Sequence, residues 1–253
     1  MQSVITKNKD TYAPIILIAY NRKSHTKNTL EALSKNHGAK ETYLYCYIDG
    51  PKNDQDRISQ QKIINTIKNY SHNFKKIKIT HRTINYGLAK NITESIDEII
   101  ALHGKVIVLE DDIVTSRGFI RFMNDALAFY QNKKKIWHIS AYTLINDKEK
   151  KDEIFLWRVM NCWGWATWQD RWDFYEKDAS KLIKEFNKEQ IKEFDISNNN
   201  FFWGQVTANN DNKLNTWAIF WYATIFINNG LCVNPFLSYA SNIGLDGSGE
   251  NCK

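Results

Sequence analysis

The sequence predicts a mixed α/β fold, with a mostly parallel sheet flanked by helices and an irregular C-terminal half. Two observations support this prediction. Apolar runs of strand length alternate with longer amphipathic segments as far as residue 142, which is the pattern of strand–helix–strand units. In addition, 43% of the 253 residues are hydrophobic, so the chain can bury the core that such a sheet requires.

The predicted elements of the first half follow in order along the chain. Strands are predicted at residues 14–20, 43–50, 76–82, 105–112 and 136–142. Helices are predicted between them, with apolar faces marked by Leu30 and Leu33, by Ile63 and Ile67, by Ile92 to Ile100, and by Phe119 to Tyr130. Ser24 is predicted to cap the first of these helices, and Gly104 to end the third.

The pattern changes after about residue 145. A charged loop precedes the tryptophan-dense segment NCWGWATWQDRW at 161–172, which is followed by a polar helical stretch at 173–200 and an apolar helix ending at Gly230. The four cysteines form no C-x-x-C pair, which indicates reduced thiols rather than a zinc site. No apolar run approaches the ~20 residues that cross a bilayer, and the N-terminus carries no signal-peptide pattern. We therefore expect a cytoplasmic protein.

Three adjacent carboxylates, Glu110, Asp111 and Asp112, follow the apolar run of the fourth predicted strand. Like charges so close together disfavour one another's ionisation, so a positive group is expected beside them. Ligands of open α/β sheets bind beyond the carboxyl ends of the strands, and this rule places the cluster at one edge of the sheet together with Asn21, Asp49 and Arg82. Carboxylate oxygens suit Mg²⁺ or Mn²⁺. The alternative is a solvated turn with an acidic cap on the next helix.

Arg82 and Lys90 flank a glycine turn that opens a predicted helix, in the segment RTINYGLAKN. A helix N-terminus with a nearby cation is a place for phosphate, although an ordinary strand–helix turn explains the pattern equally well. His138 lies within an apolar strand and is interpreted as a core residue rather than a ligand. The chain has no P-loop and no basic-aromatic interleaving, so nucleic acid is not expected as a partner.

Five segments are informative when taken together: PIILIAYNR, YIDGP, R-x-x-NYGLAKN, VIVLEDDIVTSRGFIRFMNDAL and NCWGWATW. In this order they resemble the GT-A glycosyltransferases, which are Rossmann-like, metal-dependent and use nucleoside-diphosphate sugars. Bacterial transferases of surface polysaccharides are the most similar, and the last two segments also resemble N-acetylglucosaminyltransferase I. The resemblance implies one GT-A domain, with a nucleotide-sugar half at about 10–145 and an acceptor half with a C-terminal loop at about 146–253.

The resemblance implies a role for each matching residue. Asp112 would bind Mn²⁺ or Mg²⁺ directly, and Gly164 with Trp165 would close over the acceptor. The residues implied to bind the donor are Ala19, Tyr20, Asn21, Arg22, Asp49, Arg82, Lys90, Glu110 and Asp111.

The chain departs from the family pattern at two places. Asn251 stands where related bacterial sequences have a histidine in D-G-S-G-x-H-C, which makes it a weaker metal ligand. Ala218 stands where inverting relatives have the acidic general base. Asp211 and Asp246 are the nearby carboxylates that could replace that base.

The predicted function is therefore metal-dependent transfer of a hexosyl or N-acetylhexosaminyl group. The resemblance implies a UDP-linked donor, a glycan or lipid-linked glycan acceptor, and inversion. Peripheral contact with the inner membrane surface stays open, since the net charge of +6 permits it without requiring it. Two alternatives also stay open: a degenerate sugar-nucleotide or glycan-binding module, and a sugar-1-phosphate nucleotidyltransferase, although AYNRKSH lacks the glycines of the latter.

The tryptophan-dense segment places Trp163, Trp165, Trp168 and Trp172 within ten residues. Trp168 and Trp172 have helical i, i+4 spacing and are expected in the core. At least one of the other rings should face a cleft, where it could stack on the apolar face of a sugar. Trp165 is predicted to be that ring.

Overall fold

A computed structural model gives the structure of the chain at residues 12–145, 147–196 and 199–247. The strands are β1 (Ile15–Ala19), β2 (Tyr43–Ile48), β3 (Lys76–His81), β4 (Lys105–Glu110), β5 (Ile113–Thr115), β6 (Ile136–Ser140), β7 (Ile154–Trp157), β8 (Trp165–Trp168), β9 (Leu231–Pro235) and β10 (Ala240–Asn242). The helices are α1 (Lys23–Ser34), α2 (Asp54–Asn69), α3 (Leu88–His103), α4 (Phe119–Tyr130), α5 (Gln169–Trp172), α6 (Ala179–Glu185), α7 (Lys188–Phe194), α8 (Trp203–Asn210) and α9 (Ala218–Ile227).

Eight strands form one sheet in the order β3-β2-β1-β4-β8-β6-β9-β7. The pairs from β3 to β4 are parallel, and so is the pair of β6 with β9, whereas β8 and β7 run against their neighbours. Strands β5 and β10 form a separate antiparallel pair. The predicted α/β fold with a mostly parallel sheet is confirmed. The sheet passes through both predicted halves of the chain, and the single-domain organisation stays a prediction.

Strand β1 is buried on both faces, which explains why its sequence IILIA is apolar without alternation. Successive side chains of a strand point to opposite faces. Ile15 and Leu17 accordingly join the core that includes Leu33 of α1. Ile16 and Ile18 join the opposite core, with the isoleucines of α3. This double burial fixes the middle of the sheet, and with it the position of the loops that follow the strands.

Most boundaries of the first half match the prediction, and Gly104 ends α3 in a left-handed conformation. The Ser24 cap is wrong, because Arg22 occupies the N-cap position and supplies no side-chain hydrogen bond. The polar stretch at 173–200 is not one helix: Asp178 and Asn187 cap the separate helices α6 and α7. Helix α9 ends earlier than Gly230, because Asn228 is its C-cap. Among the helices of the described ranges, none combines the length and hydropathy needed to span a membrane.

His138 is a buried, hydrogen-bonded core residue, as predicted. Its Nδ1 accepts from Trp221 Nε1 at 3.1 Å, and its Nε2 lies 3.1 Å from the Asn161 carbonyl oxygen. Burial lowers the pKa of His138 to about 3. The neutral imidazole is therefore the form that the core accommodates.

We expect the contribution of His138 to the free energy of unfolding to fall as the pH drops below about 6.5, the pKa of histidine in an unfolded chain. Between that pH and about 3, the folded-state value, the unfolded chain binds a proton that folded His138 does not. The loss approaches about 1.4 kcal/mol per pH unit. Urea unfolding at pH 7.5, 6.5 and 5.5 measures it. His138→Gln should reduce this slope, whereas His72→Gln, at an exposed position, should not. An unchanged slope in His138→Gln contradicts the assignment.

Candidate functional site

The candidate site lies at the edge of the sheet where four neighbouring parallel strands end. Because β3, β2, β1 and β4 run in the same direction, the residues that follow them share that edge. These residues are Arg82 after β3, Asp49 after β2, Tyr20 to Arg22 after β1, and Glu110 to Asp112 from the end of β4. The sequence prediction that these groups share one edge is confirmed by the sheet order.

The positive group expected beside the carboxylates is Arg22. Its Nη2 donates hydrogen bonds to Oδ1 of Asp111 and, at 2.8 Å, to Oδ2 of Asp112. Both aspartates are buried, with 3% and 6% of their surface exposed. Thr29 Oγ1 donates to the Asp111 carbonyl oxygen at 2.7 Å, which fixes the backbone of the cluster against α1. Two buried carboxylates therefore converge on one cationic nitrogen.

Arg22 alone does not compensate the negative charges of the three carboxylates. Burial, and then the negative charges of Asp112 and Asp111, raise the pKa of Glu110 to about 8. Burial also raises the pKa of Asp111 to about 6, although Arg22 opposes this shift. Additional positive charge near these groups would favour their ionised forms. The electrostatics of the site therefore suit a cationic ligand or a metal-bound one.

The described part of the C-terminal tail packs directly against Asp112. Strand β10 pairs with β5, and Ile243 N donates to the Asp112 carbonyl oxygen at 2.9 Å. A Cβ added at Gly244 would overlap the Asp112 carboxylate, so only glycine permits this approach. Asp246 Oδ2 lies 3.1 Å from His25 Nε2, at the start of α1. Asn251, a predicted metal ligand, lies outside the described residues.

Tyr20 and Asn21 are held by Asp56, a residue that the sequence reasoning missed. Tyr20 Oη donates to Asp56 Oδ2 at 2.6 Å, and Asn21 Nδ2 donates to Oδ1 at 2.7 Å. The hydrogen bond from Tyr20 is the main cause of a lowered Asp56 pKa. The signal available in the sequence was an acidic residue in the first turn of a helix capped by Asn53. Ala19 is buried, and its carbonyl oxygen accepts from Asp49 N at 3.2 Å.

Asp49 organises the loop that leads into α3. Its carboxylate accepts three backbone hydrogen bonds, from Gly50 and Tyr86 at 2.8 Å and from Gly87 at 2.9 Å. Gly50 packs so closely on the backbone of Ile84 that a Cβ there would overlap it. Both carboxylate oxygens are thus bonded to the protein itself. The predicted role of Asp49 in donor binding stays a prediction.

We expect Asp49→Asn to lower the free energy of unfolding by about 1–3 kcal/mol, because an amide cannot accept all three hydrogen bonds and leaves a buried donor unpaired. Urea unfolding measures the change. The control is Asp54→Asn, whose side chain is almost fully exposed beside Arg57 and which should change stability by less than about 0.5 kcal/mol. Equal stability of the two variants would show that the loop does not depend on Asp49.

Arg82 and Lys90 lie together at the start of α3. The Arg82 guanidinium stands over the rings of Tyr47 and Tyr86, at 5.3 and 4.9 Å from their centroids. Lys90 Nζ lies 4.7 Å from the Tyr86 centroid and 3.6 Å from Glu94 Oε1. Both cations therefore have local partners, and their predicted contact with a diphosphate stays a prediction.

The structure corrects the acceptor assignment of Trp165. This ring is 1% exposed, stacks on His138 and Trp217, and cannot meet a sugar in this structure. Gly164 has a left-handed φ of 76° and is packed against Leu109 and other core side chains. The half-buried ring of the segment is Trp163, whose centroid lies 4.5 Å from that of Tyr142. Trp168 and Trp172 are core residues, as predicted.

The two candidate bases differ in their surroundings. Asp246 belongs to the tail that packs on Asp112, through Gly244. Asp211 ends α8 and accepts from Lys213 Nζ at 2.9 Å, a contact that lowers its pKa. Within the described ranges, no hydrogen bond or ion pair joins Asp211 to the carboxylate cluster. A lowered pKa also makes a carboxylate a weaker general base.

No protein-family profile matches the chain, and a search of curated proteins found no match. Solved structures of glycosyltransferases are similar at low identity. A mannosyltransferase from Pyrobaculum calidifontis in complex with GDP-Man and Mn²⁺ has a TM-score of 0.46 and 11% identity, over 64% of this chain and 47% of that one. The galactosyltransferase LgtC with donor and acceptor sugar analogues has a TM-score of 0.47 and 11% identity, over 84% and 70%. S. aureus TarS 1–349 has a TM-score of 0.43 and 12% identity, over 61% and 47%.

The chain thus covers about half the length of the mannosyltransferase and TarS structures. All three TM-scores lie below 0.5, which is too low to assign a function. The function of this chain is therefore inferred from its own site.

Proposed function

We propose that the chain is a GT-A glycosyltransferase that moves a hexosyl or N-acetylhexosaminyl group from a nucleoside-diphosphate sugar to a glycan acceptor in surface polysaccharide synthesis. The observation that carries this proposal is the convergence of Asp111 and Asp112 on one cationic nitrogen at the ligand-binding edge of the sheet. The five sequence segments that resemble this class support it. We propose a UDP-linked donor, a cytoplasmic location, and peripheral contact with the inner membrane.

A divalent ion fits the donor atoms of the site. One oxygen of Asp111 and one of Asp112 lie close enough together to contact the same nitrogen, Nη2 of Arg22. Carboxylate oxygens are also the ligands that Mg²⁺ and Mn²⁺ prefer. No group of three His, Cys, Asp or Glu side chains in the described ranges could hold a metal alone. Such ions are commonly bound by one or two carboxylates together with substrate phosphates. Asp112 would hold the ion, which would neutralise charge on the leaving diphosphate.

The other residues of the edge would bind and orient the donor. Tyr20 and Asn21, fixed by Asp56, would line the nucleotide. Arg82 and Lys90 would add positive charge near the diphosphate, which stabilises negative charge as it develops on the leaving group. Glu110 would accept a hydrogen bond from a hydroxyl group of the sugar.

Inversion requires the acceptor oxygen to attack the anomeric carbon while the bond to the diphosphate breaks on the opposite side. The proton of the acceptor hydroxyl would pass to a carboxylate, for which Asp211 and Asp246 are the two candidates. Asn substitutions at these two positions distinguish them. The variant without its base should lose kcat by about a hundredfold or more with little change in nucleotide affinity.

A thermal-shift screen of UDP-, GDP- and dTDP-sugars, with and without Mn²⁺, tests the proposal. Binding at a hundredfold excess over Kd stabilises a protein by about 2.7 kcal/mol, which such a screen detects. The sugar nucleotides that bind are then tested for hydrolysis and transfer. Binding with turnover supports the transferase, and the absence of any binding would contradict it. Binding without turnover would indicate the non-catalytic module. Cleavage of the sugar nucleotide by pyrophosphate would indicate a nucleotidyltransferase.

A further inference from the structure

Arg22 occupies the place where the two buried aspartates would hold a cation. Its Nη2 bonds both carboxylates at once, so the two nearest ligand oxygens are already neutralised by the protein. The second terminal nitrogen, Nη1, is buried and makes no hydrogen bond within the described ranges. One terminal nitrogen of the guanidinium is therefore bonded to two carboxylates, and the other has no hydrogen-bond partner in the described ranges.

A divalent ion and this guanidinium cannot share the same two oxygens. Two positive charges a few ångströms apart repel each other strongly in a buried site, where solvent screens them little. Metal binding therefore requires Arg22 to leave, and its departure costs the energy of two charge-assisted hydrogen bonds. The Arg22 side chain is long, is 17% exposed and belongs to the N-cap residue of α1, so its displacement would not require the helix to unwind.

We propose that Arg22 is the resident counter-ion of Asp111 and Asp112, and that a divalent cation binds only by displacing it. This inference rests on the proposed function. The displaced guanidinium would pair with the diphosphate, which offers acceptors for Nη1 and Nη2 together. Metal alone would consequently bind weakly, and nucleotide would strengthen its binding, because the diphosphate stabilises the displaced arginine. Such coupling is reciprocal: metal would strengthen nucleotide binding by the same factor.

Calorimetric titration with Mn²⁺ alone tests the proposal without any sugar nucleotide. Arg22→Gln should bind Mn²⁺ at least about tenfold more tightly than wild type, because the metal no longer pays for displacing the arginine. Asp112→Asn in the Arg22→Gln background should remove the gain. Arg121→Gln is the matched control, since Arg121 pairs with Asp125 on an exposed helix face and its loss should leave Mn²⁺ affinity unchanged.

Stability provides a second measurement. In EDTA, Arg22→Gln leaves two buried carboxylates without their cation, so its Tm should fall below that of wild type. Adding Mn²⁺ should raise its Tm by more than it raises that of wild type. If Arg22→Gln does not fold, Arg22→Lys retains the charge with a single ammonium group, and it should bind Mn²⁺ with a smaller gain in affinity.

The proposal is overturned if neither Arg22 variant that folds binds Mn²⁺ more tightly than wild type. It is also overturned if wild type binds UDP and its Mn²⁺ affinity nevertheless stays unchanged. These outcomes are distinct from failure of the proposed function. Wild type that binds a sugar nucleotide equally well in EDTA and in Mn²⁺ would keep the transferase and reject the displacement. Tighter Mn²⁺ binding by Arg22→Gln, with no nucleotide binding by wild type, would keep the displacement and reject the transferase.

Discussion

Asp112→Asn is expected to abolish Mn²⁺-dependent nucleotide binding and to lower sugar transfer by about a thousandfold, the loss typical when a main electrostatic stabiliser of the leaving group is removed. Asp112 is buried, forms an ion pair with Arg22, and packs against Gly244 of the tail. An amide at this position keeps the shape of the side chain but carries no charge to hold a metal. Arg22 retains Asp111 as a partner, so the variant is expected to fold.

Titration of UDP in the presence of Mn²⁺ measures this effect. Asp111→Asn should weaken binding less, because Asp112 would still hold the ion directly. Asp125→Asn removes one exposed carboxylate from α4 and serves as the control for a change of net charge. If Asp112→Asn binds UDP with wild-type affinity and the same dependence on Mn²⁺, the metal-ligand assignment is wrong.

Trp165→Ala is expected to lower the free energy of unfolding by about 3–5 kcal/mol, as truncation of a large buried ring does. Trp165 lies in β8 between β4 and β6, with ring contacts to His138, Trp172, Trp217 and Trp221. Removing it would open a cavity where both halves of the sequence meet. This loss is a large fraction of the about 5–15 kcal/mol by which a typical domain is stable.

Urea unfolding monitored by circular dichroism measures this loss, and Trp165→Phe should cost less because it keeps an aromatic ring. Trp163→Ala is the comparison within the same segment. Since Trp163 is only half-buried, its truncation should cost less stability, and it is the substitution expected to raise the acceptor KM. A Trp165→Ala variant with wild-type stability and a raised acceptor KM would restore the original assignment of that ring.

The fold of the first half was predictable because its signals are local. Strands β1, β2 and β4 are short apolar runs, β3 alternates polar and apolar residues, and the helices α1 to α4 each carry an apolar face. Strand β8 has no such signal, since WATW becomes a strand only by pairing with β4 and β6. Its partners lie far away in the sequence. Pairings of this kind depend on the assembled sheet, which a reading of neighbouring residues does not contain.

The site was predictable in its location but not in its contacts. The rule for parallel strands placed the groups at one edge, and charge repulsion required a cation near Glu110 to Asp112. Arg22 was assigned to the nucleotide instead, because spacing does not reveal the direction of a long side chain. The error at Trp165 has a related cause. The i, i+2 spacing of Trp163 and Trp165 does not by itself separate the two rings. Trp163 precedes β8, whereas Trp165 pairs with Val108 within the sheet, and this pairing buries its ring.

The order of strands in the sheet has a consequence for attempts to express the nucleotide-sugar half by itself. Strand β6 belongs to that half, yet both of its neighbours, β8 and β9, come from the second half. A fragment ending near residue 145 would leave β6 without a partner and β4 with one bare edge. Exposed, unpaired apolar edges promote aggregation. Such a fragment is therefore expected in inclusion bodies. A shortened chain that stays in solution would have to keep β8 between β4 and β6.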